Sequence, residues 1–153
     1  MTTLTEDQRN SIMQSCLATF NRYLMNADHH VERFTETFTE DVEWVRPGMT
    51  MRGHDEMQNF MNEVRDASVA SNPPHGHVTR HMLTTNVIDV IDADNAEGTF
   101  YGLVFRHEKF GGTLPVPMNE IELVVEYRSS FRRTEEGWLI CKHRAQHVFR
   151  RGH

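Results

Sequence analysis

The apolar residues change their spacing once along this chain, and that change restricts the possible folds more than any other feature. Up to about residue 70, apart from a short stretch at 42–52, they recur every three and four residues. After Ser71-Asn72-Pro73-Pro74-His75-Gly76 they recur every second residue. The first spacing lines up side chains on one stripe of a helix, and the second lines them up on one face of a strand. Helices followed by hairpin-linked strands is the order of an α+β domain.

In the helical part, Thr5-Glu6-Asp7-Gln8 reads as a capping box, in which Thr5 caps a helix and Gln8 reaches back to its amide. Ile12, Met13, Cys16, Leu17, Phe20 and Leu24 then form one stripe, predicting an amphipathic helix from residue 5 to about 26. Asp28 is a candidate cap for a short second helix carrying Val31, Phe34 and Phe38. Val42, Trp44 and Arg46 start a short strand that stops at Pro47-Gly48, and residues 49–52 return as a second. Met57, Phe60, Met61 and Val64 mark a third helix.

Residues 81–91, 96–109, 121–133 and 138–149 read as long strands. Asp92-Ala93-Asp94-Asn95 and Thr134-Glu135-Glu136-Gly137 are tight hairpin turns, and Phe110-Gly111-Gly112 opens a longer connection. An antiparallel sheet with one covered face must curve around its helices, and Gly98 and Gly102 sit where curvature is needed. The expected architecture is a single domain over residues 1–153. A cone-shaped, curved antiparallel sheet is closed by about three N-terminal helices, with a small-molecule cavity at the wide end. Nine methionines and nine phenylalanines suit the lining of such a cavity as well as its core.

Composition narrows the function. With 38% hydrophobic and 25% charged residues the chain is a soluble globular type, and no apolar run is long enough to span a bilayer. A net charge of −6 argues against nucleic-acid binding, which needs a basic surface. The polar start MTTLTEDQRN reads as neither a secretory nor a transit signal, and two distant cysteines, Cys16 and Cys141, predict no disulfide; a cytoplasmic setting is expected. Ten histidines is a high count and the first compositional sign of site chemistry.

Four stretches carry a family resemblance: FTETFTEDVEW at 34–44, MRGHDEM at 51–57, RHMLTTN at 80–86 and FRRTEEGWLI at 131–140. They resemble the SnoaL-like branch of the nuclear transport factor 2-like superfamily, nearest in character to scytalone dehydratase, bile-acid dehydratases and hexachlorocyclohexane dehydrochlorinase. The resemblance implies a nuclear transport factor 2-like (cystatin-like) roll and a general-base histidine near the start of the third strand, a position His81 occupies. It also implies a partner aspartate after the first helix. Counting back from Asp41 puts Ala27 at that place, with Asp28 adjacent, so Asp28 either completes the pair or only caps the second helix. A tyrosine that polarises a carbonyl is implied at Tyr23, and a second histidine at His107. Imidazole suits proton abstraction because its pKa lies near neutrality.

On this reading the chain is a cofactor-independent lyase (dehydratase) or isomerase for a small, apolar, cyclic or polyketide-like carbonyl compound. Phe20, Trp44, Met57, Phe60, Met61, Asn86, Tyr101, Leu103, Phe105 and His143 are candidate substrate contacts. Tyr101, Leu103, Phe105 and His107 share strand parity, as do His143 and His147. The alternative is a ligand-binding or assembly subunit without chemistry, resembling the small subunit of ring-hydroxylating dioxygenases. A third reading, a metal enzyme using His75, His77 and His81, rests on spacing alone. No metal is expected, and a homodimer or homotrimer is.

Overall fold

The computed structural model describes residues 2–69, 77–107 and 111–152. The loop at 71–76, including His75, lies outside the described residues, as do Lys109 and Phe110. Helix α1 spans Glu6–His29. Both halves of its capping box form: Thr5 Oγ1 accepts the Gln8 N–H at 3.1 Å and Gln8 Oε1 accepts the Thr5 N–H at 2.8 Å. The buried stripe runs through Ile12, Cys16, Phe20, Tyr23 and Leu24, while Met13 lies off it and is exposed.

The helix does not stop at residue 26. It continues through Asp28, which therefore caps nothing; the 3-10 helix Val31–Thr37 starts from His30 with no side-chain cap. The reason is local. Asn26 is buried inside the last turn and its Nδ2 donates to the Arg33 carbonyl at 2.9 Å, tying the helix end to the turn that follows.

Strand β1 is Phe38–Arg46, β2 is Met49–Arg52, and helix α2 is Gly53–Val69. Four long strands follow: β3 Val78–Val90, β4 Asn95–His107, β5 Ile121–Thr134 and β6 Gly137–Arg150. The six strands form one curved, unclosed sheet in the order β2-β1-β6-β5-β4-β3. Every pairing is antiparallel except β1 with β6, which makes the sheet mixed. Register shifts fall in β3 between Leu83 and Thr85, in β4 between Val104 and Phe105, and at the Ser130/Phe131 position of the β5–β6 pair. Such irregularities bend a strand and raise its twist.

On β4 the buried positions are Ala96, Gly98, Phe100, Gly102 and Val104, so the even-numbered face is concave. Both glycines make room for rings. A Cβ on Gly98 would come within 2.6 Å of Phe100 Cε2, and one on Gly102 within 2.9 Å of Tyr127 Cε2. Phe20 of α1 stacks on Phe100 with centroids 3.7 Å apart. Phe20, Phe34, Phe38, Phe100 and Phe131 are all fully buried, each contributing about 1.5–3 kcal/mol by burial. Among the described residues no helix is long and apolar enough to cross a membrane. Cys16 and Cys141 are free thiols, and burial pushes the Cys16 thiol up to about 12.

Candidate active site

A cavity of about 230 Å³ lies between the helices and the concave face. Its volume is at the small end for ligand sites. Tyr23 and Ala27, one turn apart on α1, form part of its wall; Trp44 and Arg46 of β1, Phe60 and Met61 of α2, and His81 of β3 form more of it.

Asp28, the residue after Ala27, turns from α1 toward β3. Its Oδ1 lies 2.6 Å from His81 Nδ1 and its Oδ2 accepts the His81 backbone N–H at 2.9 Å. The carboxylate side chain is 3% exposed and the imidazole 20%. Nδ1–H donating to the carboxylate fixes the ring's orientation and its tautomer, leaving Nε2 as the nitrogen that can take a proton from a ligand. The carboxylate stands in the last turn of a helix, the end where the macrodipole disfavours an anion. The two N–H donors of His81 offset that cost.

Tyr23 and Tyr127 line the same cavity. Burial raises both phenols above their ordinary range, and the Asp28 charge adds to the rise in each. They are therefore hydrogen-bond donors at neutral pH. Behind them lies His143, fully buried, with its ring stacked on Tyr127 at 5.5 Å and edge-on to Tyr23 at 4.9 Å. Its Nδ1 is 2.6 Å from Ser129 Oγ, and burial pulls its pKa down to about 3, so it is neutral.

Not every expected contact lies here. Tyr101, Leu103, Phe105 and His107 do share a face, but it is the convex one: Tyr101 is exposed, and Phe105 and His107 border a separate crevice with Val116 and Pro117. Both faces of β4 carry large apolar residues, so alternation alone does not identify the inward one; the expected face is the wrong one, and Phe100 and Val104 face the helices instead. Asn86 is exposed, beyond the irregularity at Leu83/Thr85. Phe20 and Met57 are fully buried core residues that do not border the cavity. His143 is likewise one layer behind the wall, while His147, of the same parity, reaches it. Trp44, Phe60 and Met61 do border it. His77 and His81 both reach the cavity, but His75 lies outside the described residues. Among the described residues no group of three or more His, Cys, Asp or Glu side chains is placed to hold a metal.

Residues 10–144 match the family model of the SnoaL-like domain. The chain belongs to the SnoaL-like domain family. Solved structures agree on the fold. A candidate scytalone dehydratase from Novosphingobium aromaticivorans DSM 12444 superposes with a TM-score of 0.74 at 17% identity, covering 95% of this chain and 89% of that one. A hexachlorocyclohexane dehydrochlorinase from Novosphingobium barchaimii LL02 gives 0.70 at 15% identity, covering 95% and 92%. An NTF2-like protein with a cystatin-like fold, also from Novosphingobium aromaticivorans, gives 0.71 at 21% identity, covering 95% and 86%. No curated protein matches this sequence.

Sequence reasoning passed over several cavity residues of this SnoaL-like domain: Arg46, Thr79, Arg106 and Tyr127. Arg46 carried a usable signal. It shares parity with Val42 and Trp44 on β1, so a cation stands where an apolar side chain is expected. Arg106 became visible only once Phe100 and Val104 had set the inward face of β4.

Proposed function

We propose that this SnoaL-like domain is a cofactor-independent lyase or isomerase that removes a proton next to a carbonyl group. The observation that carries this reading is the two-point clamp of Asp28 on His81 at the wall of a partly closed, largely apolar cavity.

The chemistry follows from the groups present. His81 Nε2 takes a proton from the carbon beside the carbonyl, and the ring becomes an imidazolium. Asp28, hydrogen-bonded at Nδ1, balances that charge without leaving its place. Negative charge moves onto the carbonyl oxygen, where a phenol of Tyr23 or Tyr127 donates to it. Returning the proton elsewhere on the same skeleton is an isomerisation. Loss of a β-hydroxyl, protonated as it departs, is a dehydration. His107 has no part in this scheme, because it faces away from the cavity.

The substrate is a compact, mostly apolar carbonyl compound of cyclic or polyketide-like shape, since rings and aliphatic side chains such as Phe34, Phe60 and Met61 form much of the wall. Homo-oligomers form through the convex face, where Met82 and Tyr101 expose 53% and 46% of their surface. Exchange of substrate hydrogens with D2O, followed by proton NMR on cyclic ketones and β-hydroxyketones, tests the reaction. Exchange or elimination should occur with the native protein and fall at least about a hundredfold in His81→Ala. Equal rates in both proteins would remove the mechanism. A ligand held tightly by the native protein without any exchange would leave the binding-subunit reading in its place.

A further inference from the structure

The dyad and the phenols account for proton movement, yet the cavity carries two more cations. Arg46 on β1 and Arg106 on β4 both line it. The Arg46 guanidinium carbon lies 5.3 Å from the Trp44 ring centroid and 4.8 Å from that of Phe60, so two rings steady it. Among the described residues neither arginine has a carboxylate partner, and none of the described cavity-lining residues is acidic. Three polar atoms of lining residues are buried with no hydrogen-bond partner: Arg106 Nε, Trp44 Nε1 and Thr79 Oγ1. Trp44 and Thr79 are themselves 4% and 8% exposed. Unpartnered buried donors are rare and costly in a folded protein, and all three belong to residues of this one wall.

We propose that the cavity takes a small monocarboxylic acid, whose carboxylate is received by Arg46 and Arg106. The guanidinium fork matches the two oxygens of a carboxylate. The charge balance selects the same ligand. Two arginines against the single Asp28 carboxylate leave one positive charge among these groups, which suits a monoanion and not a phosphate dianion. The remaining wall is mostly apolar, so the acid carries a hydrophobic body that reaches toward His81. This inference rests on the cavity being the reactive site and adds the class of its substrate.

Titration calorimetry on the full chain tests it with cyclohexanecarboxylate, benzoate and phenylacetate, each beside its amide, and with inorganic phosphate. At least one acid should bind tenfold or more tightly than its amide, and Arg46→Gln or Arg106→Gln should each erase most of that preference. His81→Ala should keep it, so a failure of the proton-transfer reading and a failure of this one give different results. Acids no better than their amides, a preference that survives both arginine substitutions, or phosphate binding tighter than every acid would each overturn the proposal.

Discussion

Asp28 and His81, 53 residues apart in the chain, are joined by two hydrogen bonds that the carboxylate accepts, one from the imidazole Nδ1–H at 2.6 Å and one from the backbone N–H at 2.9 Å. The pairing fixes where the ring stands and how it is turned. Removing the carboxylate charge while keeping the shape separates these contributions. Asp28→Asn should lower turnover by about 10²–10⁴-fold, because an amide cannot hold Nδ1–H and balance an imidazolium as a carboxylate does. Steady-state rates with unchanged circular dichroism are the check, and a loss of less than threefold would take Asp28 out of the mechanism.

Tyr23 stays protonated well past neutral pH because its burial disfavours the phenolate. Tyr23→Phe should therefore reduce kcat by about 10²–10³-fold if its hydroxyl donates to the developing oxyanion. The native rate should show no loss on the alkaline side from this phenol up to about pH 9. An early alkaline fall that disappears in Tyr23→Phe would contradict the burial-driven shift.

His143 titrates at about 3 in the folded protein and at the ordinary 6.5 when exposed, the shift arising first from burial and then from the Arg46 charge. Between those values the unfolded chain binds more protons, so stability rises with pH through the window. The stabilisation is complete above about pH 6.5 and is lost on acidification toward pH 3, by a few kcal/mol in all. Urea midpoints at pH 7 and pH 5 should differ clearly in the native protein and less in His143→Gln. An identical pH dependence in that variant would show that His143 is not the group responsible.

Gly102 leaves the space that the Tyr127 ring occupies, with Cε2 only 2.9 Å from where a Cβ would stand. Gly102→Ala should cost about 1–3 kcal/mol as that ring is displaced. Since Tyr127 is also part of the cavity wall, ligand affinity should fall together with the melting temperature. A full melting temperature with weakened binding would instead mean that the ring had swung into the cavity.

The architecture was legible in the sequence because its signals are periodic and local. The capping box, the Phe20 stripe and the long alternating strands each specify an element without reference to the rest of the chain. The parallel β1–β6 pairing was not legible, since nothing in either strand announces its partner's direction. In the site, His81 stood out through its motif, and Asp28 through standing next to Ala27, where the resemblance implies an aspartate. The end of α1 was misjudged because Asn26, a residue that commonly interrupts helices, is instead buried and bonded to the Arg33 carbonyl. The face of β4 was misassigned because Tyr101, Leu103 and Phe105 look as buriable as Phe100 and Val104. Only the packing of Phe20 on Phe100 decides between the two faces.

Strand β3 is the last in the sheet, with β4 on one flank and, among the described residues, no further strand on the other. His81 pairs with Val104 across the inner flank, while its own amide bonds to Asp28 rather than to a strand. At this amide a helix residue thus does the work of the strand neighbour that an edge strand lacks. Loosening that stitch would let the rim peel and carry the base away from the phenols, so hydrogen–deuterium exchange at the His81 amide is a direct gauge of how firmly the reactive geometry is held.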